Sequence, residues 1–253
     1  MDREQLINAW KAEEAAAVMT GWDFSHLDGR YEEGVLPWDY REKVRDFLKP
    51  DSRILDMGTG GGEFLLSLRH PPELTSVTEG WAPNLELCRQ RLEPLGITVK
   101  AYDSEKGEPL PFEDEAFDLV LNRHESYDLR EVYRVLKPGG FFLTQQVGGS
   151  NGMVLSDFLG LSAQRPYGVF NLENEEPLFR QAGFRIMYRN QAYPEDRFLD
   201  VGALCWYCRI IPWEFPGFSV EGCLDRLLLL QERLERDGFI ANREHRFILI
   251  GKK

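Results

Sequence analysis

The chain has 253 residues, 43% hydrophobic and 28% charged, with a mean hydropathy of −0.39. That is enough apolar material for a buried core, and too ordinary a mixture for wholesale disorder or a fibrous repeat. Thirty Lys and Arg against 42 Asp and Glu give a formal charge of −12, which repels phosphate backbones and anionic lipid, so nucleic acid and membrane surfaces are poor partners.

The start, Met1-Asp2-Arg3-Glu4-Gln5, lacks the basic-then-apolar order of a secretion leader. No apolar run approaches the roughly 20 residues of a membrane helix. Four scattered cysteines (Cys88, Cys205, Cys208 and Cys223) make no disulfide framework. The expectation is a reduced, cytoplasmic protein.

Residues 3–19 predict a helix with Leu6, Ile7, Trp10 and Val18 on one stripe. An aromatic, turn-prone stretch follows, with Trp22, Phe24, His26, Trp38 and Tyr40, and then a short helix over 39–48 that ends before Pro50. Strands at 53–57, 74–78, 97–101, 117–121 and 141–147 alternate with helices. One of those helices opens on Pro83, and another stops at Lys137-Pro138-Gly139-Gly140. Beyond residue 150 the pattern gives a helix over 172–182, a strand over 184–193, helices over 198–211 and 220–237, and a last strand over 245–250. Strands separated by helices at these intervals predict parallel βαβ units with helices on both faces of a sheet. There is no internal repeat or low-complexity linker, so a single domain with additions is expected.

The informative segment is Ile54-Leu55-Asp56-Met57-Gly58-Thr59-Gly60-Gly61-Gly62-Glu63. A buried strand must turn sharply into a helix while its backbone passes close to a ligand, which glycine allows without steric penalty. Glu79, at the end of the second strand, can take hydrogen bonds from both ribose hydroxyls of a nucleoside. NAD(H) and S-adenosylmethionine both fit such a turn. The dinucleotide fingerprint wants a small residue where this chain has Glu63, and a diphosphate would face Asp56 and Glu63 with no nearby cation. A sulfonium bearing an ammonium group suits acid-lined glycines better.

With Leu55 to Gly62, Glu79, Asp103, Leu110 to Val120 and Val135 to Gly140 in this order, the chain resembles the class I S-adenosylmethionine-dependent methyltransferases, in particular the methyltransferase type 11 group. The resemblance covers residues 53–147 and, more loosely, the last two strands. It implies a Rossmann-like, doubly wound, mostly parallel seven-stranded sheet whose final strand runs antiparallel between the fifth and sixth. It divides residues 1–253 into an N-terminal helical cap (1–50), a cofactor-binding core (51–150) and a C-terminal insertion of substrate-side additions carrying the last two strands (151–253).

The resemblance also implies roles. Gly58, Thr59, Gly60 and Gly62 would pass under the methionine and ribose parts of S-adenosylmethionine, with Asp56 ordering the loop and reaching the amino group. Glu79 would hold the ribose, Gly80 and Trp81 would lie by the adenine, Asp103 with Ser104 would take the adenine amino group, and Asn122 would meet the methionine end through its backbone. The plain alternative is that Glu79 and Asp103 are solvated loop acids.

His124 follows the fourth strand at the sheet edge where α/β proteins place ligands, and its ordinary pKa suits a general base; alternatively it or Glu125 caps the next helix or bonds the backbone. The aromatics at Trp22, Phe24, Trp38 and Tyr40, with His26, look like a lid, or pack as a satellite core. The same two readings hold for residues 198–218, with Trp206, Tyr207, Trp213 and Phe215; a pocket of such residues suits an apolar or aromatic acceptor. Cys205-Trp206-Tyr207-Cys208 has zinc-like spacing without a second ligand pair, so buried structural thiols and no metal are expected. The reading is a methyltransferase acting on a small molecule. Its alternatives are an NAD(P)-dependent oxidoreductase and a non-catalytic adenosylmethionine-binding or partner protein.

Overall fold

The computed structural model describes residues 2–18, 23–162 and 167–253. In chain order its elements are α1 (Arg3–Ala16), β1 (Tyr31–Glu32), α2 (Tyr40–Phe47), β2 (Ile54–Met57), α3 (Glu63–Ser67), β3 (Thr75–Glu79), α4 (Ala82–Leu92), β4 (Thr98–Ala101) and β5 (Phe117–Arg123). Then come α5 (Leu129–Val135), β6 (Leu136–Val147), α6 (Met153–Leu159), α7 (Leu172–Gln181), β7 (Arg185–Ala192), β8 (Glu195–Phe198), α8 (Val201–Ile210), α9 (Leu224–Asp237), β9 (Ile240–Arg243) and β10 (Arg246–Lys252).

Two compact units, interleaved along the chain, account for these elements. One takes Pro37–Val147, Phe170–Gln191 and Arg246–Lys253; the other takes Met1–Leu36, Gly148–Val169 and Ala192–His245. The first holds a seven-stranded sheet of order β4-β3-β2-β5-β6-β10-β7. Strands β2 to β6 pair in parallel, and β10 runs antiparallel to β6. This is the expected doubly wound sheet, with the last strand between the fifth and sixth. Its core stacks Phe142 on Phe179 (centroids 5.5 Å apart), with Leu55, Val120, Phe184 and Phe247 buried around them.

The second unit packs Trp10, Phe198, Leu204, Trp206, Phe215 and Leu227 into its own core. It also carries a small antiparallel sheet, β1-β8-β9, that the sequence reading did not anticipate. The expected helix over 198–211 loses its first turn to this sheet: Phe198 pairs with Tyr31 and Ile240, and Asp200 caps α8 by accepting from Ala203 N at 2.7 Å. The helix expected to stop at Lys137-Pro138-Gly139-Gly140 ends sooner, at Val135. Strand β6 begins at Leu136, with a register shift opposite Phe117 and Leu119 that absorbs the proline and the left-handed Gly139. No helix of the described residues is long and apolar enough to cross a membrane.

Candidate functional site

The candidate residues all lie in the seven-stranded unit, at the carboxyl ends of its central parallel strands. Strand β2 is buried throughout, and the chain turns back immediately after Met57: Gly58 N and Thr59 N both donate to Thr78 O, at 3.0 and 3.3 Å. Gly58 has φ +64°, and a Cβ there would stand 2.5 Å from Glu125 Cβ and 2.7 Å from Glu125 Oε2. Only glycine fits, on both conformational and steric grounds. Gly60 and Gly62 share the left-handed conformation, at φ +61° and +79°. The turn is braced from below by Thr59 Oγ1, which donates to Asp56 Oδ2 at 2.7 Å, and by Cys88 Sγ, which donates to Gly60 O at 2.7 Å.

Glu79, only 4% exposed, is not a solvated loop acid. Its Oε2 accepts from Gly60 N at 2.9 Å, and its Oε1 accepts from Gly80 N and Trp81 N at 3.0 Å each. One carboxylate therefore ties the glycine turn of β2 to the end of β3. Gly80 lies against Tyr102 O and Asp103, leaving no room for a side chain, and Trp81 next to it is 46% exposed. Asp103 accepts from Glu105 N and faces Lys106 Nζ at 3.3 Å, while Ser104 Oγ meets Ser126 Oγ at 2.7 Å. Ser126 in turn donates to Glu125 Oε1 at 3.0 Å, so Ser104, Ser126 and Glu125 form a chain leading from β4 back to Gly58.

Beneath this loop lies a buried polar network. Asn122, fully buried, accepts at Oδ1 from Thr144 Oγ1 (2.9 Å) and Gln146 Nε2 (2.6 Å). Tyr40 donates its hydroxyl to Asn122 O at 3.2 Å. Asn122 Nδ2 is buried without a partner, an unmet donor at the methionine-side position implied by the resemblance. Neither His124 nor Glu125 caps α5, because Asp128 does so by accepting from Arg130 N at 2.8 Å. His124 has φ +63°, its N–H donates to Gln145 O at 2.9 Å, and its Nε2 lies 3.3 Å from Gln145 Nε2. Gln145 Oε1 accepts from Trp38 Nε1 at 2.8 Å.

The electrostatics are those of gathered acids. Burial lifts the Asp56 carboxyl to about 6, opposed by Thr59 and Arg123 and helped by Glu79. Burial also raises Glu125, with Glu79 and Asp103 adding repulsion. Cations are nevertheless present, which corrects the expectation that none stands nearby: Arg91 pairs with Glu63, and Arg123 lies over the Phe64 ring while acting on Asp56. Desolvation of the His124 ring and the charges of Arg246 and Arg123 push its pKa well below 6.5; because the residue as a whole is exposed, the two cations are the cause that survives in solvent.

The aromatic segments divide between the units. Trp38 and Tyr40 are buried supports of the sheet unit, whereas Phe24 and His26 pack on Trp206 in the other unit. Trp22 lies outside the described residues. Trp206 and Phe215 fill the core there, and Cys205 and Cys208 are buried free thiols on α8. Among the described residues no group of three or more His, Cys, Asp or Glu could hold a metal ion.

The methyltransferase domain model matches residues 55–144, the span from β2 into β6. That match assigns residues 55–144 to a methyltransferase domain. A curated relative, phthiotriol/phenolphthiotriol dimycocerosates methyltransferase 1 of Mycobacterium ulcerans, is 38% identical over 109 residues, covering 39% of each chain. This chain thus spans about two fifths of the length of that relative. Among solved structures, Haemonchus contortus phosphoethanolamine N-methyltransferase 2, with phosphomonomethylethanolamine and S-adenosylhomocysteine, matches at TM-score 0.51 and 17% identity, over 100% of this chain and 58% of that one. The [4+2]-cyclase SpnF matches at TM-score 0.52 and 18% identity, over 98% and 92%. Those likenesses show the fold alone, and the cyclase shows that the fold by itself does not dictate the chemistry.

The sequence reading named the glycines, Asp56, Glu79 and Asp103; Asp56 and Glu79 bond residues of the glycine turn, and Asp103 stands beside Gly80. It missed Cys88 on α4 and Thr144, Gln145 and Gln146 on β6, none of which carries a motif; the signal for the last three was polar residues on an otherwise apolar central strand.

Proposed function

We propose that this protein transfers a methyl group from S-adenosylmethionine to a small-molecule acceptor. The observation that carries this reading is the glycine turn closed over buried acids. Asp56 and Glu79 sit under a backbone that admits no side chain at Gly58, and the raised Asp56 and Glu125 carboxyls mark negative charge awaiting a cation. An ammonium and a sulfonium fit these acids, and Asn122 Nδ2, a buried donor without a partner, would suit a carboxylate at the methionine end. The cofactor, when bound, supplies an electrophilic methyl carbon.

The chain's own part is to bind and align. Asp56 attracts the ammonium group, the glycine backbone of residues 58–62 passes beneath the ligand, and Glu79 accepts from the ribose hydroxyls. Among the described residues its Oε2 is bonded only to Gly60 N and has a lone pair to give. Trp81 offers its open face to the adenine, and Asp103 and Ser104 would meet the adenine edge. Alignment of this kind provides most of the acceleration in a displacement reaction.

The acceptor is a small molecule on two grounds: the charge of −12 disfavours nucleic acid, and the Mycobacterium relative is named for phthiotriol and phenolphthiotriol dimycocerosates. An apolar acceptor agrees with that name. Buried free cysteines agree with a reducing, cytoplasmic location.

Calorimetric titration with S-adenosylhomocysteine, with NADH in parallel, tests the reading. Micromolar binding of S-adenosylhomocysteine alone, lost in Glu79→Ala, supports it, and labelled-methyl transfer to a panel of hydrophobic acceptors then identifies the substrate. Binding of NADH alone overturns it in favour of an oxidoreductase. Cofactor binding without transfer to any acceptor favours a regulatory protein.

A further inference from the structure

Indole nitrogen can only donate a hydrogen bond, so the Trp38 Nε1 contact at 2.8 Å fixes which end of the Gln145 amide faces it: the oxygen. The amide nitrogen is then the group that meets His124 Nε2 at 3.3 Å, and a nitrogen that receives an N–H must offer a lone pair. The ring proton therefore sits on Nδ1. Every alternative sets two donors against each other: a proton on Nε2 faces the Gln145 NH2, and turning the amide faces that NH2 toward the Trp38 N–H. Gln145 is 6% exposed and Trp38 8%, so water has little access to relieve either conflict. The backbone reinforces the arrangement, because His124 N–H donates to Gln145 O at 2.9 Å and the residue is held at φ +63°, a conformation costly for a non-glycine residue.

We infer that Trp38 and Gln145 lock His124 as a neutral imidazole that donates from Nδ1, so that it orients an oxygen lone pair of the ligand and does not serve as the base. Among the described residues Nδ1 has no hydrogen-bond partner, and the residue is exposed, so the donor is open to a ligand. His124 follows Asn122 and Arg123 at the carboxyl end of β5, whose Asn122 pairs with Met57 just before the glycine turn. The ligand oxygen belongs to the methyl acceptor, as a carbonyl, hydroxyl or phenolate; this part rests on the proposed function. A nucleophile that loses a proton on methylation releases it elsewhere, to solvent or to a carboxylate. The charges of Arg123 and Arg246 act in the same direction, against a protonated ring.

The tautomer is read by long-range 1H–15N correlation of the ligand-free protein, with His124→Gln assigning the signal among the four histidines. The expected spectrum has His124 protonated on Nδ1 with a bare Nε2. In Gln145→Glu the carboxylate accepts from both Trp38 and the ring, and the proton moves to Nε2; in Trp38→Phe the amide is released and both tautomers appear. An Nε2-protonated ring in the unaltered protein, or an unchanged spectrum in both variants, overturns the inference. Titration of the same samples with S-adenosylhomocysteine keeps the two questions apart. Lost binding with the expected spectrum removes the cofactor reading and leaves the lock standing, while retained binding with the wrong tautomer removes the lock alone.

Discussion

Replacing Glu79 by Gln keeps size and shape while removing one acceptor, and the structure says where the loss falls. The carboxylate accepts three backbone N–H groups, two at Oε1 and one at Oε2. The amide carbonyl can keep the Gly80 and Trp81 bonds, but its NH2 then points at Gly60 N, donor against donor. Leaving one buried donor unsatisfied costs about 1–3 kcal/mol. For a chain of this size that is a fall of roughly 2–12 °C in Tm. The same change removes the charge that holds the ribose, so S-adenosylhomocysteine binding weakens by at least about tenfold, the equivalent of one such hydrogen bond. Thermal melting and calorimetry on the same samples measure both. A Glu79→Gln protein that melts within a degree of the unaltered protein and binds S-adenosylhomocysteine within twofold would refute the claim that this carboxylate ties the turn to the ligand.

Gly58→Ala forces a Cβ into Glu125 at a left-handed position, and urea titration should show a loss of about 1–3 kcal/mol from strain and overlap together. Asp56 is raised from an unfolded value near 3.9 to about 6, so its contribution to stability is full below about 3.9 and is lost as the pH rises through 6. Asp56→Asn should therefore raise the Tm of the free protein at pH 8 while weakening S-adenosylmethionine binding. In the unaltered protein that binding should weaken on acidification from pH 7.5 to 5, as the carboxylate takes up its proton. Phe179→Ala opens a void beside Phe142 and should cost about 3–5 kcal/mol by denaturant titration. Burial pushes the Cys88 thiol up to about 12 and raises Cys205 and Cys208 as well, so none of these three should react with a thiol reagent at pH 8 until the protein is unfolded.

The parallel sheet was legible because β2 and β6 are apolar runs bounded by glycine, and because a glycine turn after a buried strand has few other uses. Glu79 was legible by position, closing the second strand, whereas Asp103 came from the resemblance alone. The small β1-β8-β9 sheet was hidden: Tyr31 and Glu32 make a strand of two residues, residues 195–197 fall between two expected elements, and Phe198, expected to open a helix, is a strand residue by its pairing with Ile240. Gln145 and Gln146 were hidden for a different reason. Adjacent residues on a strand point to opposite faces, so the two amides serve different clusters, one toward His124 and one toward Asn122, and no local spacing announces either.

The placement of β10 bears on how the chain reaches this state. Val147, the last residue of β6, finds its antiparallel partner in Arg246, about a hundred residues later. As the ribosome delivers the chain, β4, β3, β2, β5 and β6 can assemble, but β6 then presents a long bare edge whose inner positions include Phe142, Leu143 and Thr144. Strand β7 cannot shield it, because its neighbour in the sheet is β10. Until residues 246–252 insert, the intermediate is a sticky template for a second copy of itself. Refolding yield should therefore fall with protein concentration, and a peptide of residues 246–252, supplied in excess, should rescue it.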